Sequence, residues 1–309
     1  LLAGMDPALS GARRLAAEGR HADAVEALTR AYEKEVPPPE ALELIEDCGT
    51  KAVEKLLAEK DFATARELAY RWSERCSHLR ELPVRVVLAE VDHLVASGQA
   101  GDAVEPLEAA AKKHDSWRLH TALSRLYARK DVWVKGPGKR LVRGWYYQAV
   151  DEIRKAVPLA PAGKPLPEEL KAELWARFAG QPPTGSSAIS WNAGELCKLV
   201  AKHLWPEYRE KLVAGAASPD HALRVNSMTV LKITGAEGKA DAIAHHAWNM
   251  SYGYWSAKRK EAAEYLRGLK APADRKRAMD LLSGVRSKLE KSTSYSDQRA
   301  LKELDELVA

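Results

Sequence analysis

The chain has 309 residues, 46% of them hydrophobic, and carries 48 Lys and Arg against 43 Asp and Glu, a formal charge of +5. That apolar content excludes disorder as the default. So small a net charge, with both signs spread along the chain, argues against a dedicated nucleic-acid coat.

Ala, Leu, Glu, Lys and Arg dominate and only two Phe are present, so helix formers prevail and an all-α protein is expected. The length suits two domains or one extended repeat array. Cys48, Cys76 and Cys197 lie far apart without CxxC pairing and read as buried thiols, neither a disulfide framework nor a metal cluster. No run approaches the ~18 apolar residues of a membrane span, and no stretch reads as a signal peptide. The chain opens Leu1-Leu2-Ala3-Gly4 without Met and reads as a segment of a longer protein. Those four residues are either the end of an upstream hydrophobic segment or an expression remnant. The compartment stays open, with the cytoplasm favoured.

Residues Ala8 to Tyr32 place Ala12 and Leu15 before a turn at Gly19-Arg20 and Ala24, Leu28 and Ala31 after it, with Pro37-Pro38-Pro39 closing the unit. Small and large residues at helical spacing on both sides of a glycine predict two antiparallel helices. Gly49 to Cys76 repeats the scheme, with Val53 and Leu56, a turn at Lys60-Asp61, then Phe62, Ala65, Ala69 and a bulky Trp72 where a small residue is expected. Val87 to His114 does so again, with Val91 and Leu94, a turn at Ser97-Gly98, then Ala100, Ala103, Leu107 and Ala110. A fourth unit starts at Trp117 with Leu123 and Tyr127, but its second helix arrives only after an insertion, Lys130 to Arg143. That helix lies in Gly144 to Pro161, with Ala149, Ile153 and Ala156 on one face and Pro158 and Pro161 to stop it.

These units resemble tetratricopeptide repeats, a helical-hairpin family that builds binding scaffolds. In the fourth unit the resemblance makes Gly144 the turn, Tyr146 or Tyr147 the entering aromatic, Ala149 and Ala156 the small packing positions and Pro161 the closing proline. The equivalent alanines Ala24, Ala65, Ala103 and Ala149 stand 41, 38 and 46 residues apart, against a family repeat of about 34. The units are therefore degenerate, and a related helical-hairpin repeat is an alternative. The insertion alternates apolar and polar residues around Gly136-Pro137-Gly138 and reads as a small β-hairpin near 131–143.

From Ala162 to Ser190 the text turns rich in Pro and small polar residues, with a short helix around Leu170 to Phe178. This stretch is read as a joint between residues 1–161 and 191–309. The second half opens with helices around Gly194 to Leu204 and Tyr208 to Ala214. Two similar phrases follow, Ser218 to Leu231 and Ser256 to Leu266, each with an arginine, Arg224 or Arg259, about two turns before a leucine. They resemble HEAT-type repeats, in which such an arginine tethers adjacent helices. Asp274 to Leu289 and Gln298 to Val308 add amphipathic helices. Tetratricopeptide-like units followed by HEAT-like ones are similar in layout to bacterial scaffold proteins and to the tails of some bacterial serine/threonine kinases. No kinase signature is present.

Gly138-Lys139 fails as a phosphate loop, because Trp133 and Arg140 stand where that motif needs Gly and Ser or Thr. Lys135, Lys139, Arg140 and Arg143, with Trp133 and Trp145, form either an ordinary hairpin tip or an alternative anion-binding patch for nucleic acid. The basic run from Lys258 to Arg277 is interleaved with Glu261, Glu264, Asp274 and Asp280, the pattern of a solvated helix, with an anionic partner as the alternative. Asp241, His245 and His246 are too few for a structural metal. No catalytic motif stands out, and neither enzyme activity, cofactor nor metal is expected.

In tetratricopeptide arrays the first helix of each unit lines the groove that takes a partner. Helical periodicity places Arg85 and Asp92 of the third unit there, with Arg118, Thr121, Arg125 and Arg129 of the fourth. The three arginines recur at seven and four residues as a cationic strip. Their forks suit the carboxylates of an acidic peptide or helix. The expected function is a protein-interaction scaffold, with a nucleic-acid-associated module as the alternative.

Overall fold

The computed structural model describes residues 6–135, 141–143, 146–180, 187–216, 218, 220–235, 239–251 and 256–308. Among them the chain is all-α apart from one pair of three-residue strands. It divides into two compact units, Leu1–Ala162 and Gly163–Ala309.

The first unit holds four helix pairs: α1 (Pro7–Ala17) with α2 (His21–Ala31), α3 (Pro39–Ala58) with α4 (Phe62–Arg75), α5 (Leu82–Ala96) with α6 (Val104–Lys113), and α7 (Trp117–Tyr127) with α8 (Tyr146–Leu159). A proline is the first residue of α1 and α3 and the second of α5, in the first turn, where its missing N–H costs nothing. Asp6 and Asp61 cap α1 and α4 through the N–H groups of Ala8 and Thr64, at 2.8 and 3.1 Å.

The first three pairs turn the same way. Gly19, Lys60 and Gly98 take left-handed φ values of 76, 61 and 77°. The residue after each donates its N–H back to a helical carbonyl, Arg20 to Leu15 at 2.9 Å, Asp61 to Leu56 at 2.9 Å and Gln99 to Leu94 at 2.8 Å. This closure satisfies carbonyls that a helix end leaves bare. Each left-handed residue stands five positions before a fully buried alanine, Ala24, Ala65 or Ala103, and Ala149 is equally buried in the fourth pair. A methyl group at those positions lets the helices approach closely.

Helix α1 touches α3, α3 touches α5 and α5 touches α7, while α2, α4 and α6 each pack on the first helix of the next pair. The odd-numbered helices thus form one row, and α3, α5 and α7 are each held between their own partner and the preceding pair. Trp72 is fully buried on α4 although a small residue is expected there. Its space comes from α2, where Glu26 accepts the indole N–H at 2.8 Å. Helix α8 includes Pro158 and ends one residue later, so the proline loses one backbone bond in the last turn without stopping the helix before it. Strands β1 (Trp133–Lys135) and β2 (Leu141–Arg143) pair antiparallel, Trp133 opposite Arg143 and Lys135 opposite Leu141. The Gly-Pro-Gly turn between them, with Gly144 and Trp145, lies outside the described residues.

The second unit comprises α9 (Glu168–Ala179), α10 (Ser187–His203), α11 (Arg209–Ala216), α12 (His221–Ile233), α13 (Lys239–Asn249), α14 (Ser256–Arg267), α15 (Pro272–Glu290) and α16 (Tyr295–Val308). Helix α9, inside the stretch read as a joint, buries Leu170, Leu174 and Phe178 and packs on α10 and α12. Further contacts join α10 to α12, α11 to α13, α13 to α15 and α14 to α16. Arg224 and Arg259 are both 1% exposed. Arg259 forks onto Glu303 of α16 at 2.7 and 3.0 Å. Arg224 donates to the Ser218 carbonyl at 2.8 Å and lies 5.3 Å from the Trp248 ring centre on α13. The three cysteines are free and buried.

Candidate functional site

Helix α7 is enclosed on nearly all sides. Leu119, His120, Thr121, Ala122, Leu123, Ser124, Leu126 and Tyr127 are buried, which leaves one narrow exposed stripe holding Arg118 and Arg125. A spacing of seven residues brings both guanidinium groups to the same side. Arg118 lies 5.5 Å from the ring centre of its neighbour Trp117. Arg85 and Asp92, also seven apart, stand on the neighbouring α5, Asp92 exposed and Arg85 paired with Glu54 of α3 at 2.7 Å.

Two residues expected in this strip are placed elsewhere. Thr121 is fully buried and donates its hydroxyl to the Trp117 carbonyl at 2.7 Å, so it serves the interior of the helix. Arg129 lies past the end of α7 and forks onto Asp131 at 2.9 and 2.7 Å. The helix stops two residues too early to carry it in register. Of the alternative patch, Trp133 is 51% exposed and Lys135 and Arg143 lie on the paired strands, while Lys139, Arg140 and Trp145 fall outside the described residues. The basic run falls on two helices, α14 and α15, and spends part of its charge internally. Arg259 is buried on Glu303, Lys258 pairs with Glu261 at 3.4 Å and Arg275 donates to the Leu269 carbonyl at 2.6 Å.

On the far side of α7 from the arginines, a cleft of about 590 Å³ opens between α6, α7 and α8. At its base His120 Nδ1 meets Glu152 Oε2 at 2.5 Å, and Lys155 Nζ reaches the other oxygen at 2.6 Å. His120 and Glu152 are 8 and 7% exposed. Burial pushes the Glu152 carboxyl up, but the hydrogen bonds from His120 and Lys155 more than reverse it and hold the group below the ordinary carboxylate value. A carboxylate only accepts, so the proton between the two sits on His120 Nδ1. Tyr127 donates its hydroxyl to Glu108 at 2.6 Å. Burial, then that bond, raises the phenol above its usual value.

The sequence reading missed this cluster, since His120 and Glu152 are separated by the insertion and match no motif. The one signal is polar side chains, His120 and Glu152, on faces that the apolar periodicity turns inward. The histidines of α13 are packed side chains: His245 sits at 3.1 Å from the Asn249 amide and His246 stacks on Tyr265 at 4.1 Å. Among the described residues no group of three or more His, Cys, Asp or Glu is arranged to hold a metal, and no helix is long and apolar enough to cross a membrane. No protein-family model, no curated protein and no solved structure matches this chain.

Proposed function

We propose that the chain is a non-enzymatic scaffold whose first unit holds an acidic segment of a partner protein along the row of odd-numbered helices. The exposed stripe of α7 carries this reading. A helix buried on every other side spends its one outward face on Arg118 and Arg125. Guanidinium forks on a rigid helix are preorganised for carboxylates and lose little entropy on binding. Arg85 and Asp92 extend the surface onto α5.

The finer architecture belongs to the same reading. The three matching left-handed turns and the buried alanine after each support tetratricopeptide-like units stacked as a solenoid. Buried Arg224 and Arg259, each bound outside its own helix, support HEAT-like units in the second half. The layout is that of bacterial scaffold proteins.

Replacing both Arg118 and Arg125 by Glu reverses the charge of the stripe without touching a buried side chain. Capture from native lysate is expected to recover a protein partner with the original chain and to lose it with the double variant, while the helical circular dichroism stays unchanged. Equal recovery by both chains, or nuclease-sensitive nucleic acid in place of protein, overturns the reading.

A further inference from the structure

Helix α7 presents its two outward cations at a fixed separation. Arg118 and Arg125 stand seven residues apart, so their Cα atoms lie about 10.5 Å apart along the helix axis and only about 20° apart around it. Arg118 sits 5.5 Å from the ring centre of Trp117. The first turn of α7 holds no acidic side chain, although the helix dipole disfavours a cation there. Between the two arginines, four residues after one and three before the other, the stripe is floored by Ala122, which is 9% exposed. A methyl group at that place lets another chain come close.

Helix α5, which touches α7, repeats this order. Arg85 and Asp92 are its charged ends, and Leu88 and Ala89 between them are half-buried. Two neighbouring helices thus each offer charged ends and an apolar middle.

A partner that meets both arginines needs two carboxylates at that separation on one side, with an apolar group between them. A β-strand repeats one side every second residue and places same-side groups about 6.7 or 13.4 Å apart. A polyproline helix repeats it every third residue, at about 9.3 Å, with no same-side residue in between. An α-helix sets residues seven apart at about 10.5 Å on one face, with the third and fourth residues of the interval on that face as well. It alone supplies acid, apolar and acid in the order that Arg118, Ala122 and Arg125 require.

We infer that the acidic segment is an α-helix lying along α7, with carboxylates seven residues apart and an apolar side chain three or four residues after the first. This rests on the acidic-segment reading of the stripe and adds the shape of that segment.

The test is a fluorescence-anisotropy titration of three labelled synthetic peptides with the whole chain at low salt. The first is an alanine-rich helix with two Glu seven residues apart and Leu four residues after the first Glu. The second has the two Glu five apart, on opposite faces, with helicity matched by circular dichroism. The third holds two Glu three apart in a polyproline host. The first is expected to bind with Kd on the order of 0.1 mM and the other two about 10-fold more weakly. Arg118→Gln and Arg125→Gln, both at exposed positions, are each expected to weaken the first peptide about 5-fold with helical circular dichroism unchanged. Replacing one Glu of that peptide by Gln is expected to abolish its response to one of the two arginines and to leave the other. Equal affinity for the first two peptides, or tighter binding of the third, would overturn the helical segment and leave the acidic-segment reading in place. Absence of binding by the first peptide at millimolar chain also overturns the helical segment, whereas the broader reading stands or falls by the lysate capture.

Discussion

His245 is the residue whose burial has the plainest consequence in solution. Burial first, then the positive charges of His246, Arg224 and Lys258, opposed by Glu261, push its imidazole down from 6.5 to about 4. The folded state therefore holds the ring neutral at a pH where the unfolded chain already binds a proton. Stability is full above pH about 6.5, declines as pH falls toward about 4, and gains no further loss from this group below that. With allowance for solvent screening, the loss amounts to about 2 kcal/mol. Melting temperatures of the original chain and His245→Gln, compared from pH 7.5 to 4, are expected to converge as the pH falls. Parallel curves would show that His245 does not titrate in this window. At the same scale, Lys60 pays for a left-handed backbone that Gly19 and Gly98 adopt freely. Lys60→Gly is expected to raise stability by about 0.5 kcal/mol in urea denaturation, since relief of the αL cost exceeds the added freedom of the unfolded chain.

Between elements, the buried guanidinium groups set what each helix can tolerate. Arg259 is 1% exposed and its charge is met by Glu303, from α16. Glu303→Ala removes the carboxylate that forks onto that buried charge and is expected to cost about 3 kcal/mol, measured by chemical denaturation. The pair Arg259→Met with Glu303→Leu removes both charges and is expected to recover most of the loss. A double variant less stable than Glu303→Ala would mean that the arginine stem, and not its charge, holds the contact. The α11–α12 contact has a different limit. A Cβ added at Gly215 would stand 2.2 Å from Ser227 Oγ, so these helices pack at a distance only glycine allows.

Over the whole molecule, each unit has at least one apolar cluster of its own. Clusters around Trp72, Leu28 and Ile45 and around Leu107, Leu119 and Leu123 belong to the first, and one around Val285, Leu282 and Leu304 to the second. Units of about 150 residues with such clusters are of a size that folds independently. Residues 1–162 and 163–309, made separately, are each expected to give a helical spectrum and a cooperative melt. Loss of cooperativity in either fragment would show that its core needs the other unit.

Helix formation, the pairing of the first eight helices and the inward alanines follow from composition and period, because apolar spacing, turn residues and prolines are local signals that a helix obeys wherever it lies. The pairs of Gly19 with Ala24 and of Gly98 with Ala103 are legible in this way, and so are the buried Arg224 and Arg259 once two similar phrases are set side by side. The tertiary structure alone decided what those helices meet. Trp72 is accommodated because Glu26 reaches it from another pair, Thr121 faces inward because α7 is enclosed, and His120 finds Glu152 across an insertion of unrelated text. Such contacts depend on how neighbouring helices pack, and no periodicity within one helix carries that information.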